Sequence, residues 1–196
     1  MVDHRTVPGV TKVYLRIHED RLGVLIGEGG RVVKDLEARL GVKITVNTVD
    51  SSVIVEPASP STPATNILKC QEIIKAIDHC FSYERASRLY DDDAVLIIVD
   101  LKDQVSSNES HLQRIKGRII GEEGKARKNL EEITGTYISV CRDTVAIIGE
   151  YTRAELARQA IEMLVQGRQH STVYKFLDKA IRELKRKELT DLWSKL

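Results

Sequence analysis

The stretch GRIIGEEGKARKNLEEITGTYISV, residues 117 to 140, decides how this chain is read. At its centre lies a glycine bracket, Gly121-Glu122-Glu123-Gly124, with basic residues on both sides. Glycines without a Cβ let a backbone come close to a polyanion, and a helix starting after Gly124 aims its free N–H groups and positive dipole end at the same place. The pattern describes a cradle for a phosphate backbone. A Walker A loop would need four residues between its glycines and then Lys-Ser/Thr, whereas two separate Gly121 from Gly124 and Lys125 precedes Ala126. A dinucleotide fingerprint would need a third glycine after Gly27 and Gly29, and Val32 stands there.

Shifted by 94 positions, the chain matches itself: VLIGEGGRVVKDLEARLGVKITV (24 to 46) falls on RIIGEEGKARKNLEEITGTYISV (118 to 140). Gly27 meets Gly121, Gly30 meets Gly124, Leu36 meets Leu130, Glu37 meets Glu131, Gly41 meets Gly135 and Ile44 meets Ile138. This is a duplication whose period suits two compact domains better than a solenoid. In the first copy Val13 to Ile17 alternates as a strand, and Arg21 to Ile26 reads as a short helix. A second helix runs from the bracket to Leu40, with Val32, Leu36 and Leu40 on one face and Gly41 as its stop. Strands Val42 to Val46 and Val53 to Glu56 form a hairpin, and Thr62-Pro63 reads as the cap and first turn of a third helix. The second copy repeats this with strands near 95 to 100, 137 to 141 and 145 to 148, and helices near 110 to 120, 125 to 134 and 153 to 165. After it, Leu177, Ile181 and Leu184 mark one face of a C-terminal helix.

The order β-α-α-β-β-α, with GxxG joining the two central helices, is similar to that of a type I KH domain. The expectation is an α+β fold of two tandem type I KH domains, each a three-stranded sheet packed against helices, plus a C-terminal helix. The boundaries expected are 1–90 for the first domain with its linker helix, 91–168 for the second and 169–196 for the helical extension.

With 196 residues, 42% hydrophobic and 30% charged, the chain has the composition of a soluble globular protein. A formal net charge of +1 requires any nucleic-acid site to be a local concentration of positive charge. Cys70, Cys80 and Cys141 form no CxxC pair and read as buried thiols of a reducing compartment. The N-terminal MVDHRTVPGV lacks the pattern of a signal peptide, and no apolar run is long enough to span a membrane, so a cytoplasmic location is expected. The five histidines are scattered without a nucleophile or metal pattern, and no catalytic residue, metal or cofactor is expected.

Charge separates the copies. Between His111 and Lys128 there are six Lys or Arg (114, 116, 118, 125, 127, 128) against two Glu, and His111, Arg114 and Arg118 share one helix face. The first copy carries Asp20, Val24 and Val33 where the second has Arg114, Arg118 and Arg127, and keeps Arg31 and Lys34 beside its bracket. The second copy is therefore expected to be the main RNA site. Glu122 and Glu123 are expected to turn outward and complement the start of the next helix.

AIDHCFSYERASRLYDDDAVLIIVDL between the copies, with GRIIGEEGKARKNLEEITGTYISVCRDTVAIIG in the second, closely resembles the archaeal and eukaryotic Partner-of-Nob-One proteins, also called Dim-two-like KH proteins. The intact GEGG of the first copy looks archaeal. The resemblance implies a non-catalytic small-subunit ribosome assembly factor that binds single-stranded RNA at the 3′ end of the small-subunit rRNA. It also implies work beside the endonuclease that matures that end, the dimethyltransferase that modifies it, and the α subunit of translation initiation factor two. Carried onto this chain, the groove would use Arg118, Ile119, Ile120, Gly121, Gly124, Lys125 and Lys128, with Ile138 and Val140 as its apolar wall. Gly27, Gly30, Arg31 and Lys34 would form a weaker site. The competing reading is an interaction scaffold whose KH folds bind protein and touch RNA weakly, or an adaptor that links the α subunit of translation initiation factor two to the small subunit.

Overall fold

A computed structural model describes residues 12–102 and 109–193, so the N-terminal MVDHRTVPGV lies outside the described residues. The chain forms two compact units, Met1–Tyr90 and Asp91–Leu196.

In the first unit, β1 (Val13–Arg16), β2 (Val42–Asn47) and β3 (Ser52–Pro57) make an antiparallel sheet of order β1-β3-β2. Helices α1 (Glu19–Ile26), α2 (Arg31–Leu40) and α3 (Ala64–Asp78) cover it. The periodic positions explain the packing: Val32, Leu36 and Leu40 of α2 are buried, as are Ile67, Ile73, Ile74 and Ile77 of α3. Gly41 stops α2 in the left-handed conformation, at φ 62°. Thr62 does not cap α3, whose N-cap is Pro63. Its hydroxyl instead donates to the Gly41 carbonyl at 2.8 Å, next to the Asn66 amide that donates to the Leu40 carbonyl at 2.9 Å. The hydroxyl expected to start one helix thus satisfies a carbonyl at the end of another.

The linker forms a short helix, α4 (Tyr83–Ala86), capped by Ser82, and a single 3₁₀ turn at Ser87–Tyr90. It folds back on α2: the Tyr83 hydroxyl donates to Asp35 and bonds the Tyr90 hydroxyl at 2.9 Å. Arg39 bonds Asp35 at 3.0 Å and lies over the Tyr90 ring. Burial and the Asp35 bond push the Tyr83 phenol well above its usual range, while the same bond holds the Asp35 carboxyl below its own.

The second unit repeats the plan. Strands β4 (Ala94–Asp100), β5 (Tyr137–Cys141) and β6 (Thr144–Glu150) pair in the order β4-β6-β5. Helices α5 (Glu109–Ile120), α6 (Lys125–Thr134) and α7 (Tyr151–Val165) pack on the sheet. The core gathers Val99, Leu112, Ile115, Ile119, Leu130, Ile138, Val145, Ile147 and Ile161. The C-terminal helix α8 (His170–Trp193) lies against α6 and α7, and its Val173 and Leu177 belong to the same core.

Cys70 is a free thiol that burial pushes up to about 12. Among the described residues no helix is long and apolar enough to cross a membrane, and no group of three His, Cys, Asp or Glu is placed to hold a metal.

Candidate nucleic-acid interface

The two glycines of the second bracket are required for different reasons. Gly121 ends α5 at φ 72°, and a Cβ there would stand 2.6 Å from the Ala126 Cβ and 2.8 Å from the Ala126 nitrogen. No side chain fits, because the first turn of α6 occupies the space. Gly124, at φ 76°, is the N-cap of α6, and a Cβ there would meet nothing closer than the Arg127 guanidinium at 4.0 Å. That position needs glycine for its backbone conformation and leaves the space above it open. The backbone N–H groups of Glu122 and Glu123, on the single turn between the glycines, find no acceptor among the described residues. Two free donors thus sit beside a helix N-terminus at which Gly124 leaves the space open, an arrangement that suits a phosphate.

Glu123 is held at φ 51°, a left-handed conformation that costs a non-glycine residue about 1–2 kcal/mol. In the first bracket the same place is Gly29, at φ 60°. Both glutamates are exposed, and Glu123 pairs with Lys125 at 3.4 Å. An ion pair this exposed contributes little to stability. It does place the nearest cation and an anion side by side at the mouth of the cradle, with Lys128 exposed one turn further along α6.

The other site residues expected from sequence divide. Ile119 and Ile138 are fully buried, and Val140 packs against the same core, so their side chains belong to the unit's interior rather than to a groove wall. Strand alternation puts Ile138 and Val140 on the inner face of the sheet, opposite Ile147 and Val145. Ile120 is half-buried at the end of α5.

At the outer edge of β5, the Ile138 N–H donates to Glu131 at 2.7 Å and its carbonyl accepts from Arg127 at 3.2 Å. Arg127 and Glu131 also bond each other at 3.1 Å. The edge strand is thus fastened to α6 by side chains. In the first unit Glu37 accepts from the Ile44 N–H at 2.8 Å, and Val33 stands where Arg127 would be, so only half of the clasp is present.

Arg118 is also placed differently from the expectation. Its guanidinium donates to the Gly167 carbonyl at 3.1 Å and to the Arg168 carbonyl, and the His170 ring meets the Arg118 carbonyl at 3.0 Å. It fastens the turn between α7 and α8. With about 100° per residue, His111, Arg114 and Arg118 lie on the flank of α5 toward α7, away from Lys116, whose ammonium reaches the Arg142 carbonyl beside β5 at 2.8 Å. Spacing correctly grouped the three side chains but did not show which neighbour the group faces.

Sequence reading missed one feature of α5. Gly117 sits in the helix interior with nothing within 4 Å of the place a Cβ would take, and Gly23 holds the equivalent position in α1. Neither packing nor a positive φ requires them, and each costs its helix about 0.5–1 kcal/mol relative to alanine. Their recurrence at an offset of 94 was the available signal. Around the first bracket the backbone is closely similar: Gly27 at φ 69° packs on Val32, and Gly30 at φ 78° is open. Arg31 is exposed, while Lys34 donates to the Gly29 carbonyl at 3.3 Å.

Residues 95–182 match the family model for the eukaryotic type KH-domain (KH-domain type I). The KH domain-containing protein of Methanocaldococcus jannaschii is 40% identical over 181 residues, which is 92% of this chain and 78% of that protein. The pre-rRNA-processing protein PNO1 of Coccidioides immitis is 25% identical over 174 residues, and the alignment covers 88% of this chain but only 65% of that protein. The crystal structure of an a/eIF2α–aDim2p–rRNA complex from Pyrococcus horikoshii matches with a TM-score of 0.82 and 36% identity, covering 88% of this chain and 94% of that one. With the second unit matched as a KH domain and both units built on one plan, the chain belongs to the family of Partner-of-Nob-One and Dim2-like KH ribosome assembly proteins.

Proposed function

We propose that this protein binds single-stranded RNA through the bracket of its second unit and holds the 3′ end of small-subunit rRNA during ribosome assembly. The observation that carries the reading is the open space at Gly124, beside two unpaired N–H groups and the N-terminus of α6, with Lys125 and Lys128 exposed at the start of that helix. KH modules clamp about four backbone nucleotides at such a loop and read the bases beside it. Gly117 extends the accessible surface from the bracket along α5, where a base has room to lie.

The first unit is read as a second type I KH domain with a weaker site at Gly27, Gly30, Arg31 and Lys34. Its cradle has the same backbone, but Lys34 is turned to Gly29 and no arginine supports the sheet edge. The relatives named for pre-rRNA processing and the complex containing rRNA and a/eIF2α support this setting. The partners proposed are accordingly the α subunit of translation initiation factor two, the endonuclease that matures the rRNA end and its dimethyltransferase.

Fluorescence anisotropy with an oligonucleotide of the rRNA 3′ end, a scrambled RNA and the matching DNA tests the reading. Tighter binding to the first is expected, with a log-log salt slope of roughly −2 to −4 for about three to five phosphate contacts. No binding to any short RNA at low salt would refute it.

A further inference from the structure

The flank of α5 that faces α7 encloses a cavity of about 320 Å³ lined by His111, Arg114, Ile115, Arg118, Leu164, Val165 and Gly167. Its lining holds three basic side chains and no carboxylate, in a chain whose net charge is only +1. Two bonds to backbone carbonyls fix the Arg118 guanidinium, yet its Nε is buried without a hydrogen-bond acceptor. A buried guanidinium N–H left unpaired is costly and calls for an acceptor. Arg114 is exposed at the cavity's edge and adds a second, movable fork of donors.

The first unit lacks this feature. The positions equivalent to His111, Arg114 and Arg118 are Ile17, Asp20 and Val24, and Ile17 is buried. There the carbonyls at the end of the third helix are fastened by Arg21, which donates to Ile77 at 2.9 Å and Phe81 at 2.7 Å. Fastening that helix end therefore needs one arginine, and the second unit carries two further basic groups on the same flank. Structure alone does not use them.

We propose that the cavity between α5 and α7 is a second anion site, which takes a phosphate group of the bound RNA strand outside the stretch clamped at the bracket. The inference rests on the RNA reading above. The side chains available are two arginines, suited to a planar fork on phosphate oxygens, and a histidine that adds charge when protonated. A strand long enough to leave the bracket and pass round α5 engages both sites, whereas a strand of about four nucleotides fills only the first.

The test compares the wild-type chain with His111→Ala/Arg114→Ala, leaving Arg118 to hold the α7–α8 turn, against single-stranded RNAs of about four and about twelve nucleotides. The longer RNA is expected to lose roughly tenfold in affinity, with its log-log salt slope shallower by about 0.7 for one lost phosphate contact. The short RNA should bind both proteins alike. Equal losses for both lengths, or no loss for either, would overturn the second site while leaving the bracket reading intact; failure of the wild type to bind either RNA would overturn the bracket reading itself. Inorganic phosphate is the control for a free-anion site. If it saturates the His111 ring signals at millimolar concentration while the longer RNA leaves them unmoved, the assignment to an RNA phosphate is overturned.

Discussion

The two units share a backbone plan and differ in where their charge lies. Both brackets use a first glycine that packing demands and a second that conformation demands, and both strand edges are tied to the preceding helix by the same glutamate, Glu37 or Glu131. The second unit then adds Arg127 to complete the edge clasp and His111 and Arg114 on the far flank of α5, while its cradle cations Lys125 and Lys128 have counterparts in Arg31 and Lys34. The first has no edge arginine and no basic flank, and builds instead a linker clamp of Tyr83, Asp35, Tyr90 and Arg39. Duplication kept the scaffold, and the side chains that give it electrostatic character diverged. A KH-like backbone is therefore weak evidence for RNA binding until the charges around it are placed.

The largest effect is expected where the units are the same. Gly121→Ala and Gly27→Ala should each destabilise their unit by about 2–4 kcal/mol, because a Cβ overlaps the next helix and the residue is left-handed. Urea denaturation checks this, and a mild effect at either position would mean that the brackets are not equivalent. Next comes the point of divergence. Lys125→Ala with Lys128→Ala should weaken single-stranded RNA binding roughly tenfold and flatten the log-log salt slope by about 1.4, at about 0.7 per lost contact. Arg31→Ala with Lys34→Ala should change either quantity much less, and equal losses in an anisotropy titration would erase the proposed asymmetry.

A smaller effect would sharpen the contrast between GEGG and GEEG. Glu123→Gly relieves the left-handed glutamate and removes the partner of Lys125, so the second unit should gain about 1 kcal/mol in thermal or chemical denaturation and bind unselected RNA more tightly. That outcome would assign the glutamates the role of keeping the cradle from becoming a general polyanion site. Smallest is Tyr83→Phe in the linker clamp, expected to cost the first unit about 1 kcal/mol at neutral pH. The Tyr83 bond lowers the Asp35 carboxyl from its ordinary 3.8, so this contribution is present above that value and fades as pH falls through and below it. Wild type and variant should therefore converge in stability in acid.

Much of this was legible in the sequence. The offset of 94 aligned the brackets, periodicity put Val32, Leu36 and Leu130 in the cores, and Gly41 and Gly135 stopped their helices where expected. Partner identity was less legible. Spacing grouped His111, Arg114 and Arg118 on one face, but only packing revealed that the face looks toward α7 and that Arg118 is committed to carbonyls there. Thr62 had the chemistry of a cap, yet the carbonyl it satisfies lies 21 residues earlier in the chain. The left-handed Glu123 had a readable signal in Gly29, the residue it aligns with. Local patterns carry such geometry; contacts that depend on tertiary packing do not appear in them.

The most direct test of the central claim is a residue-resolved titration of the intact protein with a short single-stranded RNA at low salt, followed by backbone amide NMR. The amides of Gly121, Glu122, Glu123, Gly124 and Lys125 should shift first and furthest, with Gly117 moving beside them and Gly27 to Arg31 responding only at higher RNA concentration. Shifts at Gly27 to Arg31 as large as those at the second bracket, or an unmoved second bracket at saturation, would contradict the account.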